Sequence, residues 1–105
     1  DTTSHLLSVT HTVDSSDSNY HSVALVRSGT TVLLYRNGIF ITSATNASLA
    51  NVNLDNSSEP FTVGCFKTYA VSTYSLFLNG SVGSRGYFNS ALSAVQIAYL
   101  HSAGF

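Results

Sequence analysis

YHSVALVRSGTTVLLYRNGIFITS, residues 20–43, holds three β-strand patterns in succession and the sharpest turn signal of the chain. Side chains alternate along a strand, so His21, Val23 and Leu25 share one face while Ser22, Ala24 and Val26 share the other. Ser28-Gly29-Thr30 closes that strand. Thr31 to Arg36 is rich in β-branched and aromatic residues, and Asn37-Gly38 before Ile39-Phe40-Ile41 is a two-residue hairpin loop that tolerates the positive φ of a type I′ turn. The core of the fold is therefore predicted to be an antiparallel sheet.

At 105 residues the chain has room for one domain and a single core. Charged residues make up only 9% of it, against about 25% in ordinary globular chains. Ser and Thr, about 28% of the sequence, must supply the polar surface with Asn and Tyr, a bias that suits secreted, cell-surface or virion β-proteins. With a net charge of −1 and no Lys/Arg cluster, nothing favours nucleic acid, whose binding needs concentrated basic charge. No apolar run reaches the roughly 20 residues of a membrane-spanning helix, and no signal-peptide pattern opens the chain. Asp1 at the start and the lack of any Met suggest a processed product or a piece of a longer polypeptide. Cys65, the sole cysteine, shares a face with Phe61 and Val63 and is expected to be a small core residue.

Outward from the central stretch, His5 to Val13 alternates as a strand, with Leu7, Val9 and Val13 on one face, and residues 14–19 form a polar loop. Beyond the hairpin, Ala44 to Pro60 is expected to be a long surface loop. Phe61 to Thr68 and Tyr74 to Leu78 read as strands joined by a bend. Ser81 to Phe88 continues extended, with a bulge or close backbone approach at Gly83 and Gly86. The period then changes. Ser93 followed by Gln96 has capping-box spacing, which predicts a short helix over Ala94 to His101, with Ile97 and Leu100 on its buried face and Gly104 as terminator.

Three blocks carry a resemblance to the laminin-G-like branch of the concanavalin-A-like jelly rolls. Residues 20–29, YHSVALVRSG, resemble the family pattern WHHVAVTRDG, with Tyr20 in place of Trp. Residues 31–38, TVLLYRNG, resemble TVRLYVNG. Residues 79–100, NGSVGSRGYFNSALSAVQIAYL, resemble NGxIDEVRIYNRALSAAEIAAL, with Gly83-Ser84 where the family has Asp-Glu. The resemblance implies an all-β, two-sheet antiparallel jelly-roll sandwich with one short C-terminal helix. Family domains are longer, so the resemblance implies that residues 1–105 are a single domain equivalent to the C-terminal half to two-thirds of one such jelly roll, or a compact version of it.

The acids Asp1, Asp14, Asp17, Asp55 and Glu59 include no pair on one strand face, which a glycoside hydrolase would need, and no nucleophile elbow is present. The chain is expected not to be an enzyme. His5 and His11 lie about 20 Å apart at the strand rise, too far for one zinc. Asn51, Asn53 and Asp55 alternate oxygen-bearing side chains, and the resemblance implies calcium at a loop rim. One carboxylate is few for such a site, so an ordinary hydrogen-bonded loop is favoured. Tyr69, Tyr74 and Tyr87 sit in or beside turns, where aromatic faces can stack on sugar rings, although each can equally pack between sheets. Asn46, Asn56 and Asn79 open glycosylation acceptor patterns.

The sequence thus predicts a non-catalytic recognition or adhesion module, extracellular, on a cell surface or on a virion, with glycan as its partner. The alternative is a structural module such as a phage tail fibre or decoration protein. Low charge beside the first strand leaves little to discourage edge pairing, so an oligomer or a larger assembly is expected.

Overall fold

The computed structural model describes residues 18–50, 63, 65–67 and 73–105. The predicted first strand, His5 to Val13, lies outside the described residues, as do most of the loop over residues 44–60 and half of the strand over residues 61–68.

The described residues are built mainly of strands. β1 (Val23–Ser28), β2 (Thr31–Arg36) and β3 (Ile39–Thr45) form one antiparallel sheet in chain order. β4 (Phe66–Lys67) and β5 (Tyr74–Ser75) form a separate antiparallel ladder, and α1 (Ala94–Ser102) is the single α-helix among the described residues.

Turn chemistry sets the sheet's register. Gly29, at φ 61, takes the first central position of the β1–β2 loop, so Ser28 pairs with Thr31 and Ala24 with Tyr35. Asn37 and Gly38, at φ 52 and 78, are both left-handed, as a type I′ turn requires. The pairing of β2 with β3 shifts between Leu34 and Tyr35: Leu34 faces Thr42 and Tyr35 faces Phe40, leaving Ile41 as the extra residue of a bulge. The two-residue turn itself sets Phe40 opposite Tyr35, on the turn side of the bulge, and the rings meet edge to face with centroids 5.7 Å apart.

One face of the sheet carries Ala24, Val26, Leu33 and Tyr35. α1 covers it with Ile97, and Leu92 packs alongside. Val26, Tyr35 and Ile97 are buried together. On the opposite face Val23 and Leu25 are exposed while Val32 and Leu34 are half-buried. A single 3-10 turn, Ala47–Leu49, follows β3 within the stretch from Ala44 to Pro60, whose simplest reading is a long surface loop with room for a short strand. The Arg27 guanidinium ties it to the sheet, donating 2.7 Å to the Leu49 carbonyl and 3.0 Å to that of Gly29.

Both ends of α1 are capped as the sequence predicts. Ser93 Oγ accepts from the Gln96 amide at 3.2 Å, and Gln96 Oε1 accepts from the Ser93 amide at 2.8 Å. At the other end Gly104, at φ 100, donates to the His101 carbonyl and Phe105 to that of Leu100, the two bonds of a Schellman motif. Because the helix has only nine residues, it depends on such caps. Ser93→Ala is expected to cost about 1 kcal/mol, read as a lower urea midpoint.

Three expectations change. The strand over Tyr74 to Leu78 stops at Ser75 because Leu76 turns left-handed at φ 54, and Leu76 and Phe77 then face solvent. Residues 81–88, expected only to run on extended, carry no ladder pairing. A Cβ on Gly86 would sit 2.9 Å from a ring carbon of Phe88, so the close approach expected there is made by a side chain. Cys65 is half-buried, outside the described core, and Val63 is exposed.

Candidate functional site

Two side-chain constellations stand out on the helix-bearing side of the sheet. The first lies where the Asn37-Gly38 turn meets the end of α1. Asn37 Oδ1 accepts from the Ser22 amide at 3.0 Å, and the Asn37 amide donates to the Ser22 carbonyl at 2.9 Å. That arrangement leaves Asn37 Nδ2 to donate to His21 Nδ1 at 3.0 Å. Ser22 Oγ is 2.7 Å from His101 Nδ1 on the last turn of α1. A Cβ on Gly38 would approach Ala98 Cα and His101 Cβ to 3.2 Å each, so the turn lies directly on the helix. The cluster fastens turn to helix. Among the described residues no three His, Cys, Asp or Glu side chains gather as a metal site would require.

The second is an open depression of about 480 Å³ between the other end of the sheet and the first turn of α1. Val26, Leu33 and Tyr35 line it from the sheet, Ser28 and Thr31 from the β1–β2 loop end, and residues 91–94 with Gln96 from the helix side. None of these residues is ionisable except the Tyr35 phenol. The site therefore offers hydroxyl and amide groups around an apolar surface, with no counter-charge for an ion.

The tyrosines singled out from the sequence lie elsewhere. Tyr74 belongs to β5 and is 44% exposed; Tyr87, between β5 and α1, is 70% exposed. Tyr69 lies outside the described residues. So do the calcium candidates Asn51, Asn53 and Asp55, and with them all five acids of the chain. Of the acceptor asparagines, Asn46 is engaged as a cap: its Oδ1 accepts from Ser48 N at 3.0 Å and from Ser48 Oγ at 2.8 Å. Asn79 is exposed. Sequence reasoning missed the depression because its two walls are about sixty residues apart in the chain, and only the cap residues Ser93 and Gln96 gave any local signal.

No family model matches the chain, and no curated protein matches it. Among solved structures it is similar to the 2.1 Å crystal structure of residues 221–444 of an S-layer domain-containing protein from Clostridium thermocellum, with 27% sequence identity and a TM-score of 0.66. The match covers 86% of this chain and 42% of that one, so the chain spans less than half the length of that structure. No helix among the described residues is long and apolar enough to cross a membrane.

Proposed function

We propose that this chain is a non-catalytic recognition or adhesion module of a cell-surface or extracellular protein, and that its ligand is a neutral glycan. The observation that carries this reading is the similarity to the S-layer domain-containing protein, which spans most of the chain. It supports a cell-surface or extracellular location. The three sequence blocks that resemble laminin-G-like domains support a jelly-roll sandwich in which β1, β2 and β3 are part of one sheet. The exposed Val23 and Leu25 give that sheet an apolar face to set against a second layer. An uncharged Ser/Thr/Asn/Tyr surface suits hydroxyl-rich ligands.

A glycan array probed with the folded chain tests the reading. Binding to neutral glycans is expected, weakened about fivefold by Tyr74→Ala or Tyr87→Ala if those rings stack on sugar. An array without signal from a folded sample overturns it.

The second reading is a structural module of an extracellular or virion assembly, favoured by the exposed run Leu76, Phe77 and Leu78. Under it the chain self-associates, and sedimentation as a concentration-independent monomer counts against it.

A further inference from the structure

We propose that the depression between the β1–β2 loop end of the sheet and the first turn of α1 is a subsite for a single neutral sugar ring. The proposal rests on the glycan-binding reading and assigns that ligand a place the exposed tyrosines do not occupy.

Tyr35 carries the inference. It is only 5% exposed, yet among the described residues its hydroxyl has no hydrogen-bond partner. Nor is the hydroxyl sealed in, because no buried side-chain oxygen or nitrogen is left unsatisfied. A phenol that lines the depression, is otherwise enclosed, and has an open and unpartnered hydroxyl presents that group to whatever occupies the space. A buried phenol oxygen ordinarily finds a partner inside the fold. Here the partner is left to water, or to a ligand that displaces it.

The other walls agree on the chemistry. The Ser28 hydroxyl also has no hydrogen-bond partner among the described residues, and Gln96 commits Oε1 to the Ser93 amide while its Nε2 donors are unused there. These groups surround an apolar surface of Leu33 and Leu92. Hydroxyl and amide groups can bond the edge of a pyranose, and the aliphatic side chains meet its C–H face. Nothing in the lining would neutralise a phosphate or a carboxylate. At about 480 Å³ the space falls in the range of roughly 300–1,000 Å³ typical of small-ligand sites. One ring with its substituents fits; an extended chain of rings would have to leave through the open side.

The test is a titration of the ¹⁵N-labelled chain with glucose and with N-acetylglucosamine at millimolar concentration, followed by amide chemical shifts. Shifts are expected at Ser28, Thr31, Ser93 and Gln96. Tyr35→Phe, which keeps the ring and removes only the hydroxyl, is expected to weaken binding about three- to tenfold, the scale of one neutral hydrogen bond. Ala91→Phe, at an exposed position on the rim, is expected to abolish it by filling the space. Tyr74→Ala is expected to leave these shifts unchanged. Binding that survives both Tyr35→Phe and Ala91→Phe at full strength overturns the subsite. Shifts confined to Tyr74 and Tyr87, or array binding without shifts at the depression, overturn the subsite and leave the glycan reading standing. No response to sugar in either experiment overturns both.

Discussion

Tyr35→Ala is expected to lower the unfolding free energy by about 3–5 kcal/mol, the cost of deleting a large buried ring. The core it serves is thin. Only Val26, Tyr35, Leu49 and Ile97 are buried among the described residues, and Leu49 lies outside the cluster that α1 covers. Tyr35 bridges that cluster to Phe40 through the edge-to-face contact, so its loss removes both the floor under Ile97 and the ring against which Phe40 packs. Against a total stability of about 5–15 kcal/mol for a small domain, the variant should lie near or below the folding threshold, with loss of a cooperative urea transition by far-ultraviolet circular dichroism. Tyr35→Phe should fall within about 0.5 kcal/mol of the parent, because the hydroxyl gives up no bond within the described residues.

Gly38→Val is expected to be the second most damaging change, at about 2–4 kcal/mol. Two effects add. At φ 78 the backbone is left-handed, where a β-branched side chain is strained. The new Cβ would also lie 3.2 Å from Ala98 Cα, a backbone atom of a packed helix that cannot rotate aside. Gly29→Val separates the two, since Gly29 is also left-handed at φ 61 but a Cβ there meets nothing within 4 Å. The difference between the two urea midpoints then measures how firmly the Asn37-Gly38 turn is seated on α1. Equal losses would show that the turn does not bear on the helix.

The parts of this fold that were legible in the sequence are those set by neighbouring residues. Asn37-Gly38, Gly29, the Ser93/Gln96 box and Gly104 each impose a backbone geometry within a few positions, and the structure shows all of them where the residues predict. The bulge opposite Leu34 and Tyr35 was not legible, because Ile39-Phe40-Ile41 is apolar throughout and marks no face of its own. The early end of β5 was hidden for a related reason: leucine gives no warning of a positive φ at position 76. Of the candidate site, the sequence could supply residue types but not convergence. Tyr74 and Tyr87 were found as exposed aromatics, whereas the depression needs Tyr35 and Ser28 to meet Gln96 across most of the chain.

The sheet order bears on how quickly the chain can assemble. β1, β2 and β3 are joined by two-residue loops and, among the described residues, pair only with their neighbours in sequence, so the meander can form through short loop closures on the microsecond scale of a hairpin. α1 is different. Residues 46–93 intervene before it can reach β3, and the hydrogen bond between His101 and Ser22 spans 79 positions. Closing a loop of that length costs more entropy than either hairpin, and a nine-residue helix has little stability before it docks. The meander is therefore the natural nucleus, and the docking of Ile97 onto Val26 and Tyr35 belongs to the late, downhill side of the barrier. In such a chain the helix contacts govern how long the native state lasts rather than how fast it is reached.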